Sequence, residues 1–161
     1  MSAAHNIHAT GLVLDGTGLI LRGPSGAGKS LLALELLDQW EARGRPAQLV
    51  SDDRVDVVAG TTGLTMRAPV RIAGLAELRG RGIVSRPFVA EAPLHLVVDL
   101  VDTLERMVEE DALTTELFGI TLARAPVPRR GVVDASHQLL LIREALRAIG
   151  SPRGGTRQKT T

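Results

Sequence analysis

Short apolar runs alternate along this chain with breaks rich in glycine, proline and charge. Residues 7–14, with Leu12, Val13 and Leu14, predict a first strand. Asp15-Gly16-Thr17-Gly18 reads as a turn, and Leu19, Ile20 and Leu21 as the returning strand. So short a connection predicts antiparallel pairing. From Ser30 the pattern changes period: Leu31, Leu32, Leu34, Leu36 and Leu37 mix with Glu35 and Asp38 as in a helix packed on a sheet. Arg43, Gly44 and Pro46 mark its end near residue 44.

Residues 47–51 predict a short buried strand ending at Asp52 and Asp53, and residues 54–59 and 64–68 a hairpin turning at 60–63. Residues 71–85 crowd charges and glycines together and read as a solvated surface loop or, alternatively, as an arginine-bearing loop beside the phosphates. Residues 94–101 predict one strong buried strand, and residues 102–117 an acidic short helix or irregular excursion. Residues 120–123 predict a further strand, broken off by Pro126, Pro128 and Gly131. Residues 135–149 form an amphipathic helix, with Leu139, Leu140, Ile142, Leu146 and Ile149 on one side and Gly150 as its cap. The expected organisation is one catalytic domain over residues 1–150 and a disordered basic tail over 151–161.

Between the second strand and the first helix lies Gly23-Pro24-Ser25-Gly26-Ala27-Gly28-Lys29-Ser30, which fits the phosphate-loop pattern G-x-x-x-x-G-K-S/T. Glycines let the backbone wrap an anion with its N–H groups pointing inward, and the helix N-terminus adds its positive end. Lys29 can reach the β- and γ-phosphates, and the Ser30 hydroxyl can ligate Mg²⁺. Strand, loop and helix stand in the order this chemistry needs, so the chain is expected to bind a nucleoside triphosphate.

Composition narrows the rest. A length of 161 residues suits one well-cored domain, and the formal charge of +1 selects no acidic partner. Aromatic residues amount to 2%, which argues against base-stacking platforms and hence against nucleic acid. There is no cysteine, no visible signal peptide and no apolar run long enough to span a membrane. A cytoplasmic globular domain is expected.

A phosphate-loop enzyme usually holds its metal with a second carboxylate on a neighbouring strand. Asp99 follows Leu96-Val97-Val98 as such a residue would, whereas Asp52 and Asp53 follow a weaker apolar run but come as a pair. Two neighbouring carboxylates could divide the work, one holding metal and the other taking a proton. Residue chemistry alone leaves Asp99 and the pair as open alternatives.

His8, the loop 23–30, Leu49-Val50-Ser51-Asp52-Asp53-Arg54-Val55 and Glu77-Leu78-Arg79-Gly80-Arg81-Gly82-Ile83 occur in an order that resembles the catalytic domain of the HPr kinase/phosphorylase family. The likeness runs over residues 7–150, in a short form without the separate N-terminal domain of longer members. It implies an α/β fold: a mixed sheet carrying the phosphate loop, of phosphoenolpyruvate-carboxykinase-like type and flanked by helices. It also implies an ATP- and Mg²⁺-dependent serine kinase, with or without the reverse phosphorylase reaction. The substrate would be an HPr-like phosphocarrier, and the assembly a homo-oligomer, a hexamer in the family. By the same resemblance Lys29 and Ser30 serve phosphate and metal, Glu77 is a further metal ligand, and Asp52 and Asp53 supply the general base, with Asp53 favoured. His8 assists near the reacting phosphate, and Arg106 falls where the family places a catalytic arginine. The later family loop reads approximately P-V-R/K-P-G-R, whereas this chain has Pro126-Val127-Pro128-Arg129-Arg130-Gly131. That loop is tied to dephosphorylation. A small-molecule phosphate-loop kinase and a nucleotide-sensing binding module are the alternatives. A predominantly parallel sheet would favour the first of them, and an antiparallel hairpin before the loop would count against it.

Overall fold

The computed structural model describes residues 3–150, so the tail expected at 151–161 lies outside the described residues. The chain runs β1 (Ala4–Ile7), β2 (Ala9–Leu14), β3 (Thr17–Arg22), α1 (Lys29–Ala42), β4 (Ala47–Ser51), β5 (Val55–Ala59) and β6 (Leu64–Arg67). It continues with β7 (Leu75–Leu78), β8 (Gly82–Ser85), β9 (Glu91–Leu94), β10 (Leu96–Val101), β11 (Thr114–Leu117), β12 (Ile120–Pro128) and α2 (Ala135–Gly150). A central six-stranded sheet has the order β11-β12-β10-β3-β2-β4, and a four-stranded sheet the order β1-β5-β6-β9. In the central sheet β3, β10 and β12 are parallel neighbours, while β2, β4 and β11 pair antiparallel. The hairpin expected before the phosphate loop is present, closing at Leu14 opposite Thr17.

Strand alternation puts apolar side chains on both faces of the central sheet. Leu12, Leu19, Leu21, Leu96, Val98 and Val127 face α1 and α2, joining Leu32, Leu36 and Ile142. Val13, Ile20, Val50 and Val97 face the second sheet and meet Val55, Val57, Met66 and Leu94. The result is three layers, helices over sheet over sheet. The two sheets approach so closely at Gly18 that a Cβ there would lie 1.8 Å from the carbonyl oxygen of Pro93.

Several sequence expectations give way to the structure. The run at 7–14 is two strands: β1 pairs with β5 in the second sheet and β2 with β3 in the central one, with the crossing at His8. The run at 94–101 is likewise divided at His95, between β9 and β10. A mostly apolar run signals burial and cannot signal a change of sheet. The charged stretch expected to be a loop contains the hairpin β7–β8, whose strands are short and largely exposed. The excursion at 102–117 ends in a 3-10 turn (Glu110–Leu113) followed by β11.

β12 continues through Pro126 and Pro128 to the level of Val101. The Arg129 N–H donates to Val101 O at 2.9 Å, so alternate residues point their N–H groups at β10 and the prolines point the other way. β11 stops opposite Ala123, and no ladder bond is lost at either proline. In α2 the inward positions are Gln138 and Ile142, both buried, while Leu140, expected on the apolar side, is 61% exposed. Gly150 closes α2 as its last helical residue.

Candidate active site

β3 runs straight into the glycine loop, and α1 starts at Lys29 with Gly28 as its N-cap. Gly28 has φ +93°, in the left-handed region that favours glycine, and no side chain caps the first turn of α1. The open N–H groups and the positive helix end therefore remain available to an anion. Lys29 is 5% exposed, and its Nζ donates to Gly23 O at 2.9 Å and Pro24 O at 3.3 Å. Both partners are carbonyls, so a buried cation here lacks a compensating negative charge from them.

β4 lies parallel to β3, with β2 between them, and so delivers Asp52 and Asp53 to the loop end of the sheet. The two carboxylates then separate. Asp52 is 9% exposed and accepts from the Ser30 hydroxyl at 2.6 Å and the Thr10 hydroxyl at 3.0 Å, both on Oδ1. Its Oδ2 accepts the Glu77 backbone N–H at 3.3 Å. Asp53 has φ +70° and an exposed carboxylate, whose Oδ1 lies 2.6 Å from His8 Nε2. The sheet crossing at His8 thus places that histidine beside Asp53.

Asp99, the rival carboxylate, takes a different position. It sits level with Arg22 in the parallel pair β3–β10 and receives Arg22 Nε at 2.8 Å, Arg22 Nη2 at 3.0 Å and Arg124 Nε at 2.6 Å. Burial by itself would raise its pKa. The hydrogen bonds and charges of Arg22 and Arg124 outweigh that and hold the group below its ordinary value. A carboxylate so committed to two guanidinium groups has little charge left for a metal.

For Mg²⁺ the donors at hand are the Ser30 hydroxyl and the Asp52 carboxylate, 2.6 Å apart. That suits an ion that takes one or two carboxylates and completes its shell with phosphate and water. No group of three or more His, Asp or Glu side chains gathers into a metal site among the described residues. Glu77, expected as a ligand, adjoins Asp52 through its backbone, while its side chain is exposed on β7. Arg106 is exposed between β10 and the 3-10 turn and makes no hydrogen bond or ion pair with these residues. Arg129 pairs with Asp102 at 2.9 Å, and Arg130 binds Glu35 of α1 and Gln138 of α2. Thr10 escaped sequence analysis because a lone threonine in an apolar strand reads as an ordinary β-former.

A groove of about 1200 Å³ lies elsewhere, between α2, β12 and residues 101–113, and no residue of the glycine loop lines it. Phosphate is held by N–H groups and charge on an open loop, so volume is a poor guide to its site.

The family model for the HPr serine kinase C-terminal domain matches residues 1–131, and the chain belongs to that family. An HPr kinase/phosphorylase of Aromatoleum aromaticum is 32% identical over 158 residues, covering 90% of this chain and 47% of its own length. One from Clostridium acetobutylicum is 32% identical over 128 residues, covering 75% of this chain and 40% of its own. The chain thus spans about half the length of these curated relatives. The solved HPr(Ser) kinase/phosphatase of Coxiella burnetii superposes with a TM-score of 0.74 at 28% identity, covering 97% of this chain and 96% of that one.

Proposed function

We propose that this member of the family is an ATP- and Mg²⁺-dependent kinase that phosphorylates a serine of an HPr-like phosphocarrier protein. The carrying observation is the separation of the two aspartates, Asp52 onto the loop serine and Asp53 onto His8. Lys29 and the open first turn of α1 bind the phosphates. Asp52 fixes Ser30 for the metal side of the reaction. Mg²⁺, when bound, neutralises charge on the transferring phosphoryl group. On the other side, Asp53 accepts the proton of the attacking serine hydroxyl, and His8 holds that carboxylate in place. Family resemblance extends the proposal to the phosphoenolpyruvate-carboxykinase type of fold, a cytoplasmic location, a homo-oligomer and the reverse phosphorolytic step. The antiparallel β2–β3 hairpin counts against a standard small-molecule phosphate-loop kinase.

The test mixes the protein with ATP, Mg²⁺ and an HPr-like carrier from the same genome and follows the carrier's mass. One phosphate gained on serine, and lost with Lys29→Ala or Asp53→Asn, is the expected result. ATP binding with no transfer would point instead to a nucleotide sensor. Inorganic phosphate added to the phosphorylated carrier then tests the reverse step.

A further inference from the structure

We infer that Thr10 is a positioning residue that keeps the two aspartates in separate roles; the inference rests on the kinase reading above. Thr10 is fully buried in β2. A hydroxyl carries one hydrogen and two lone pairs, so it can donate and accept at once. The Thr10 hydroxyl does both: it donates to Asp52 Oδ1 at 3.0 Å and accepts the Asp53 N–H at 3.2 Å. One side-chain oxygen therefore touches the carboxylate of the first aspartate and the backbone of the second.

The backbone half of that contact matters because Asp53 stands at φ +70°, a region a non-glycine residue enters only when its surroundings hold it there. β2 supplies the hold at two successive residues. Ala9 N–H donates to Asp53 O at 3.1 Å, and Thr10 receives the Asp53 N–H. Both peptide groups of the strained residue are thus tied to the strand that follows His8, the partner of its carboxylate. The side-chain half acts on Asp52. Ser30 and Thr10 share its Oδ1, so Thr10 retains the carboxylate in its orientation when Ser30 turns a lone pair to a metal. Valine has nearly the shape of threonine without the hydroxyl and would remove both contacts together. Serine keeps the hydroxyl and loses only the methyl group.

The experiment compares Thr10→Val and Thr10→Ser in the full chain by two readouts. In carrier phosphorylation, Thr10→Val lowers kcat roughly 10²-fold, the scale of an ångström-sized misplacement of reacting groups. KM for ATP stays within about threefold, because Lys29 and the loop are untouched. Thr10→Ser recovers kcat to within about threefold of the parent protein. In amide hydrogen exchange, the Asp53 N–H exchanges about tenfold faster in Thr10→Val and stays protected in Thr10→Ser, with β3 amides unchanged in both. Unchanged kcat or unchanged Asp53 exchange in Thr10→Val overturns the inference. So does equal loss in both variants, which would mean that Thr10 only packs. If Thr10→Val does not fold, Thr10→Ala replaces it in the same comparison. Should the parent protein transfer no phosphate, the kinase reading fails by itself, and Asp53 exchange still decides whether Thr10 holds that residue.

Discussion

Asp52 and Asp99 both stand at the loop end of the central sheet, each next to a buried apolar strand segment, yet their partners differ in kind. Asp52 accepts from two hydroxyls and a backbone N–H. Asp99 accepts from two guanidinium groups. Neutral donors fix a carboxylate's direction without cancelling its charge, so Asp52 remains able to attract a cation. Two arginines fix direction and cancel charge together, so Asp99 ties β3, β10 and β12 to one another. Having the right residue at a strand end does not distinguish a functional carboxylate from a structural one. The donor chemistry around it sets whether its charge stays available to a cation.

Substitutions can break that contrast. The largest effect is expected from Asp52→Asn, which removes the charge and keeps the shape: phosphoryl transfer falls by about 10³-fold. The melting temperature, read in the same preparation, falls only modestly, because the amide oxygen still receives the Ser30 and Thr10 hydroxyls while the NH₂ group replaces the oxygen that met the Glu77 N–H. Asp99→Asn is the mirror case. It leaves Arg22 and Arg124 facing a neutral amide and costs about 3 kcal/mol of stability in urea unfolding, while Mg²⁺-dependent nucleotide binding by the folded fraction persists. Loss of that binding in Asp99→Asn, with Asp52→Asn active, would reverse the two assignments.

The same substitution carries a pH signature. The folded pKa of Asp99 lies below the ordinary 3.8, so in acid the unfolded chain binds the proton first and stability rises with pH there. Its stabilising contribution is complete above 3.8 and disappears as pH falls through the lower folded value. Asp99→Asn should flatten the acid limb of the unfolding profile over that window. The smallest effect belongs to Arg129→Ala. Its partner Asp102 is 81% exposed, and such surface pairs contribute no more than about 1 kcal/mol.

The strand, glycine loop and helix order and the hairpin leading into it were legible because glycine spacing and a tight turn are local signals. The competition between Asp52 and Asp99 was not, since the decisive donors Thr10, Arg22 and Arg124 come from other strands. His8 and His95 show another limit. At each the chain leaves one sheet for the other inside a mostly apolar run, where period-2 alternation looks the same on either side. Pro126 and Pro128 mislead in the opposite direction, because a missing N–H matters only where a neighbouring strand would have received it. The Glu77 stretch was legible as a motif, but charge density concealed that it is a hairpin reaching Asp52 through its backbone.

Those prolines also shape the open margin of β12. A sheet grows when an incoming chain finds alternating donors and acceptors along an open edge. Beyond Ala123 the outward positions of β12 include Pro126 and Pro128, which have no hydrogen to offer, and the Pro128 carbonyl already receives Gln138 Nε2 at 2.9 Å. On the far side, residues 87–89 lie against β4, with Leu49 N–H on Pro87 O and Val89 N–H on Leu49 O. An incoming strand thus finds few free donors along this stretch of β12, and the outer edge of β4 is already occupied.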